Sequence, residues 1–499
     1  MTKHFHKGNR RRWEAGSASW TRRTNMRGIW RKCHRDPPLP AFRRSRRCGA
    51  FSSGSDNEAV YGWTLPTAPQ SEVNRLASLE TRQQAIEILR RNDRGGYTVP
   101  TATGLYPAQW NWDSCLVALG LAQFDEPRAV AELDTLFNGQ WSDGMVPHIL
   151  FHGDDSSYFP NASVWQAGPT GRSSGITQPL AAATVVRHLF ERSSDPPTRS
   201  RLTALTPKLL AWHRWCYAGR DPHGSGLVSI IHPWESGMDN SPLWDDALDA
   251  VEPGPSVAHL RKDTGFAAAD HRPRGPEYDR YINLVVRFRD NGYRADRLYD
   301  ISPFRVADIG FNAILQRANQ DLSSLLATIG DVAGAAEVAT AAQKASAAIE
   351  RCWQEEDGFF YGVDTRTGRP IRKPGIAGFL PLFADAGVAT RHQRLVQRLE
   401  SWLARVAYGV PSFEPGRPEF EPQRYWRGPV WLIVNWMLID GLRRNGRADL
   451  ADRIRRDSLA LVERAGFAEY FNPLTGESLG GSSFSWTAAM YLQLAGDSG

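Results

Sequence analysis

Two carboxylates stand in segments suited to proton transfer. Asp239 lies in His232-Pro233-Trp234-Glu235-Ser236-Gly237-Met238-Asp239-Asn240-Ser241-Pro242, and Glu469 in Gly466-Phe467-Ala468-Glu469-Tyr470-Phe471-Asn472-Pro473. Neither stretch has helical or strand periodicity, so both read as loops. Aromatic neighbours shield a carboxyl from water, and shielding raises its pKa toward the range useful for proton transfer. Two such groups suggest acid–base hydrolysis, and the aromatic surroundings suggest a sugar substrate. Glu235, in the same loop as Asp239, is either the alternative acid or a structural partner. Two carboxyls about 6.5–9.5 Å apart admit a water and invert the anomeric centre, whereas about 5–5.5 Å implies retention. The sequence leaves that choice open.

Other segments offer binding chemistry. Tyr106-Pro107-Ala108-Gln109-Trp110-Asn111-Trp112-Asp113-Ser114 precedes a helix. Asp113 reads there as an N-cap or as a hydroxyl-binding group beside stacking rings. In Arg424-Tyr425-Trp426-Arg427-Gly428-Pro429-Val430-Trp431, Pro429 suits the first turn of a helix and Gly428 permits close approach of a ligand. Arg427 is placed to orient a carboxylate or to form a surface ion pair. The turn Asn472-Pro473-Leu474-Thr475-Gly476-Glu477 suits fixing the Glu469 backbone. Gly171-Arg172-Ser173-Ser174-Gly175 matches a nucleophile elbow in letters only, because no buried strand precedes it. Phosphate-binding, dinucleotide and zinc-protease motifs are missing, and His148, His152, His223 and His232 read as structural. No metal or cofactor is indicated.

These loops need a scaffold, and the apolar spacing supplies helices over 74–92, 113–124, 127–138, 178–192, 203–215, 308–329, 332–354, 390–406, 428–445, 449–465 and 485–494. Strand signals are confined to 227–231 and 359–363. Residues 251–276 are irregular and read as a long excursion over the site face. Helices returning in pairs, with the motifs in their connections, predict an all-α toroid whose loops build the site at one end.

The net charge of +6 hides an asymmetry. Residues 1–50 carry 15 Lys and Arg against two acids, leaving residues 51–499 at −7. A mildly acidic body argues against nucleic-acid binding. Residues 1–58 form a basic extension, readable as a disordered arm, a targeting segment or translated sequence upstream of the true start. The domain proper then spans 59–499. Five scattered cysteines fit a reducing compartment, so a cytoplasmic location is expected, and no apolar run is long enough to span a membrane.

Together these segments resemble glycoside hydrolase family 63, closer to its bacterial mannosylglycerate/glucosylglycerate hydrolase branch than to the eukaryotic processing glucosidase. The resemblance covers roughly residues 72–497 and is carried also by Gln178-Pro179 and Glu277-Tyr278-Asp279-Arg280-Tyr281. It implies an (α/α)6 barrel working by inversion without a cofactor, with Asp239 as general acid and Glu469 as general base. Tyr106, Trp110, Asn111, Trp112, Asp113, Gln178 and Gly237 are then expected to hold the sugar, with Tyr158, Tyr425 and Trp426 completing the pocket. Arg272 is expected to grip a glycerate carboxylate, Arg280 and Arg274 being the alternatives. The implied substrate is 2-O-α-D-glucosylglycerate, with mannosylglycerate second. Three other readings stand beside it: a hydrolase of trehalose or an uncharged oligosaccharide, a non-catalytic sugar-binding toroid, and a polyanion-binding protein acting through its basic arm. Oligomeric state is left open, a homo-oligomer included.

Overall fold

A helix apolar on every side must be buried, and a helix with one apolar stripe must cover something. The chain contains both kinds. The computed structural model describes residues 70–496, with side chains from Ser78 onward; the extension 1–58 and the expected start at 59 lie outside the described residues. The helices of eleven or more residues there are α1 (Gln70–Asn92), α2 (Asn111–Leu121), α3 (Glu126–Asn138), α4 (Ala182–Arg192), α5 (Thr206–Arg220), α6 (Gly275–Asp290), α7 (Ile309–Thr328), α8 (Val332–Glu350), α9 (Ala389–Leu403), α10 (Leu432–Arg444), α11 (Ala448–Ala465) and α12 (Ser485–Gly496).

Sequence separates inner from outer. In α2 (NWDSCLVALGL) all residues are buried, and α10 and α12 are nearly as apolar throughout. Helix α12 packs on α2, α2 on α4, α4 on α7, α7 on the buried 3-10 stretch Ile376–Leu382, that stretch on α10, and α10 back on α12. The inner helices thus close a ring. Helices α3, α5, α8, α9, α11 and α1 cover it, each against an inner neighbour. Helix α9 turns only Leu395, Val396, Leu399, Trp402, Leu403 and His392 inward and leaves its arginines outside. The α2–α12 contact is tight: a Cβ added at Gly120 would stand 2.3 Å from the Ala489 Cα.

The two ends of the ring differ. Inner helices lead to outer ones through short turns at 122–125, 329–331 and 445–447. Asp125 and Asp331 cap the helices that follow, accepting from the Arg128 and Gly334 amides. Outer helices return to inner ones through long segments at 93–110, 139–181, 221–308, 404–431 and 466–484. Two-residue antiparallel pairs pin these: Trp110 lies opposite Ile149, and Tyr470 opposite Leu479.

Local expectations fare unevenly. The strand expected over 227–231 reduces to a single bridge between Ile230 and Val306. The one over 359–363 divides into Phe359–Phe360 and Val363–Asp364, which pair with different partners. Helix α6 was not foreseen. The excursion 251–276 is irregular as expected, interrupted by short 3-10 turns. Among the described residues no helix is long and apolar enough to cross a membrane.

Candidate active site

Five approaches to inner helices converge on one cavity of about 760 Å³, open mouth included. Tyr106, Trp110, Trp112 and Asp113 come from the start of α2, Gln178 from the approach to α4, and Gly237 and Asp239 from the segment before α7. Tyr425 comes from the approach to α10, Glu469 and Phe484 from the approach to α12, and Trp486 from the start of α12. The structure therefore brings Asp239 and Glu469 to the same cavity.

Glu469 is almost completely buried. Its Oε1 accepts from the Tyr106 hydroxyl at 2.9 Å and from Arg272 Nη1 at 3.5 Å, and its Oε2 accepts from the Gly481 amide at 2.8 Å. The backbone is pinned as the Asn472 turn suggested: the Glu469 amide donates to Gly481 O, and Asn472 Oδ1 caps the turn by accepting from the Leu474 amide. Mutual backbone bonds between Val430 and Phe471 tie this strand to the Tyr425 segment.

Asp239 is held differently. Its carbonyl accepts from the Tyr281 hydroxyl at 2.9 Å, Trp244 Nε1 bonds the preceding Met238 carbonyl at 2.7 Å, and its side chain keeps some exposure to the cavity. Burial pushes its carboxyl up to about 7, against the opposing pull of Arg272 and with help from Glu469. A carboxylic acid still protonated near neutrality can donate a proton. Asp113 is also raised well above the carboxylate range, by burial first and then by the charge of Glu469. It is not an N-cap: Trp110 holds that position, and Asp113 faces the cavity from the first turn of α2.

Gly237 has φ +71°, and a Cβ there would strike the Trp112 indole at 2.6 Å. Tyr158 stands edge-on to Trp110 at 5.3 Å. Arg272 reaches the cavity from the excursion, its Nε on Asp263 Oδ2 at 3.2 Å and its guanidinium 4.4 Å over the Tyr425 ring. Neither alternative arginine lines the cavity: Arg274 bonds Glu421 at 2.7 Å and Arg280 bonds the Val251 carbonyl at 3.0 Å.

Two expected sugar ligands are not among the lining residues. Asn111 is fully buried behind the lining, where Nδ2 donates to the Val146 and Pro147 carbonyls. Successive helical residues diverge around the axis, so the turn that aims Trp112 and Asp113 inward aims Asn111 away. Trp426 is likewise behind the wall, parallel to Trp431 at 3.9 Å, while Tyr425, at φ +43°, takes the cavity. Three neighbouring expectations also change. Arg427 is itself buried and pairs with the partly exposed Asp245 at 2.9 and 3.0 Å, rather than lying on the surface. The close approach at Gly428 is to the Glu421 carbonyl, not to a ligand, and Pro429 precedes a helix that starts only at Leu432. Glu235 is the structural partner: it receives Arg220 at 2.9 Å, the Ile231 amide at 2.8 Å and the Thr177 amide at 3.3 Å.

The sequence reading missed Asp263, His148, Trp234, Tyr278 and Trp486 as lining residues. His148 shares a 2.6 Å contact with Ser174 Oγ and stacks on Trp234, and burial lowers its pKa. Trp234 and Tyr278 belonged to segments already singled out, so proximity to those motifs was an available signal. Asp263 had none.

Comparison with known proteins gives concordant matches. Residues 106–487 match the model of the mannosylglycerate hydrolase MGH1-like glycoside hydrolase domain. A mannosylglycerate hydrolase from Selaginella moellendorffii is 49% identical over 445 residues, covering 89% of this chain and 90% of that protein. A glucosylglycerate hydrolase from Mycolicibacterium hassiacum is 35% identical over 456 residues, covering 87% and 100%. The crystal structure of a GH63 mannosylglycerate hydrolase from Thermus thermophilus in complex with Tris and D-glycerate superposes with a TM-score of 0.80 at 48% identity, covering 83% of this chain and 100% of that one.

Proposed function

The chain belongs to the mannosylglycerate hydrolase MGH1-like glycoside hydrolase family, and from that premise we propose that it hydrolyses 2-O-α-D-mannosyl-D-glycerate, with inversion, on an (α/α)6 barrel. Glucosylglycerate ranks second, because relatives named for mannosylglycerate share more identity with this chain than the one named for glucosylglycerate. This reverses the order expected from sequence.

The carrying observation is the company of one buried arginine, Arg272, with Asp239 and Glu469 in an aromatic cavity. In this reading Asp239 gives its carboxyl proton to the glycosidic oxygen as the C1–O bond breaks. Glu469 takes a proton from water as the water oxygen bonds C1 from the opposite face. Glycerate leaves, and solvent exchange returns the proton to Asp239 and removes one from Glu469. Trp110, Trp112, Tyr158 and Tyr425 offer ring faces, Asp113 and Gln178 bond sugar hydroxyls, and Arg272 receives the glycerate carboxylate in a bidentate fork.

Proton NMR of the enzyme with mannosylglycerate, glucosylglycerate and trehalose tests this reading. β-Mannose should appear first from mannosylglycerate, before mutarotation. Initial α-mannose would refute inversion, and cleavage of trehalose in preference to both glycerates would remove the anionic aglycone.

A further inference from the structure

The cavity-facing oxygen of the base is already occupied. Glu469 Oε2 takes the Gly481 amide at 2.8 Å. Oε1 is the oxygen on the cavity side, since both of its partners are lining residues and Gly481 is not, and its two acceptor directions hold the Tyr106 hydroxyl and Arg272 Nη1. The Tyr106 contact is short at 2.9 Å; the arginine contact, at 3.5 Å, is at the limit of a hydrogen bond.

Arg272 is built to pivot rather than to leave. Its carbonyl accepts from Arg424 Nη1 at 2.9 Å, and the preceding His271 carbonyl accepts from the Tyr470 hydroxyl at 2.8 Å. Its Nε is tethered to Asp263, itself gripped by Arg261 at 3.0 and 2.6 Å. Backbone and Nε are thus fixed, while the guanidinium carbon rests 4.4 Å over the Tyr425 ring, an attraction without a fixed hydrogen-bond direction.

We propose that the aglycone carboxylate switches on the base: by taking the Nη edge of Arg272 it draws the guanidinium off Glu469 Oε1 and opens that oxygen to the attacking water. A bidentate carboxylate outcompetes a single contact at the distance limit. Selectivity for an anionic aglycone then appears in turnover as well as in binding, because a neutral aglycone leaves the arginine on the base. The inference rests on Arg272 being the glycerate contact.

The test compares kcat and KM of the wild-type enzyme on mannosylglycerate and on mannosylglyceramide, its neutral amide of nearly equal bulk. The amide should lose about tenfold or more in kcat, beyond any rise in KM. Arg272→Met removes the clamp, so it should turn over the amide faster than wild type does while slowing on the natural anion. Equal kcat for the two substrates in wild type, with only KM differing, overturns the switch and leaves Arg272 a simple grip. So does a folded Arg272→Met enzyme no faster on the amide. If that variant fails to fold, the wild-type pair decides alone. Failure to cleave mannosylglycerate at all would instead sink the functional reading, and this inference with it.

Discussion

Replacing Asp239 by Asn should destroy activity and stabilise the protein, increasingly so as pH rises. The carboxyl is moved by burial from 3.8 to about 7. Below an ordinary carboxyl pKa both folded and unfolded chains carry the proton, so the folded state bears no penalty. As pH rises toward 7 the unfolded chain ionises freely while the folded one resists, and stability is lost across that window. At about 1.4 kcal/mol per decade the ceiling is about 4 kcal/mol above pH 7. Cavity water screens part of the field, leaving about 2 kcal/mol as the working figure. Asn carries no charge to desolvate, so Asp239→Asn should melt roughly 2–4 °C higher than wild type near pH 8, with a smaller gain near pH 5. Turnover should fall about 10²–10⁴-fold from loss of the proposed acid. Paired thermal melts across that pH range are the assay. A stability gain independent of pH, or a variant less stable near pH 8, would refute the account of Asp239 as a carboxyl strained by burial.

Other perturbations act through different contacts. Gly480→Ala places a Cβ 2.5 Å from Glu469 Oε2 at φ +72°; kcat should fall about 10²-fold by misplacement of the proposed base, and an unchanged kcat would contradict the pinning described. Gly120→Val forces α2 from α12 and should cost about 1–3 kcal/mol in urea unfolding, with little effect on KM for the protein that remains folded. Glu235→Gln leaves Arg220 without its 2.9 Å carboxylate partner in a fully buried site. A loss of about 3–5 kcal/mol is expected, and a near-neutral melt would show that the pair is dispensable.

How far these contacts could be read from sequence depends on how local their cause is. Inner helices such as α2 and α10 announce themselves because every side is apolar, and outer ones such as α11 because one stripe is. Asp239 and Glu469 were legible from their aromatic settings. Asn111 and Trp426 have the chemistry of sugar ligands, but a side chain's direction at a helix start is set by the turn, not by its type. Asp263 was invisible, since its role depends on Arg261 and Arg272 meeting it within an irregular stretch. Helix α6 escaped because its start, Gly275-Pro276, adjoins that stretch and reads as its continuation.

The ring closes between its first inner helix and its last, α12 upon α2. Synthesis is vectorial, and at about 5–20 residues per second the later helices trail the first by many seconds. Until α12 emerges, the apolar flank of α2 that receives it is bare, and the Gly481 amide that holds Glu469 has nothing behind it. The nascent chain therefore carries Asp239 long before Glu469 is seated, and the cavity is complete only once α12 has closed the ring.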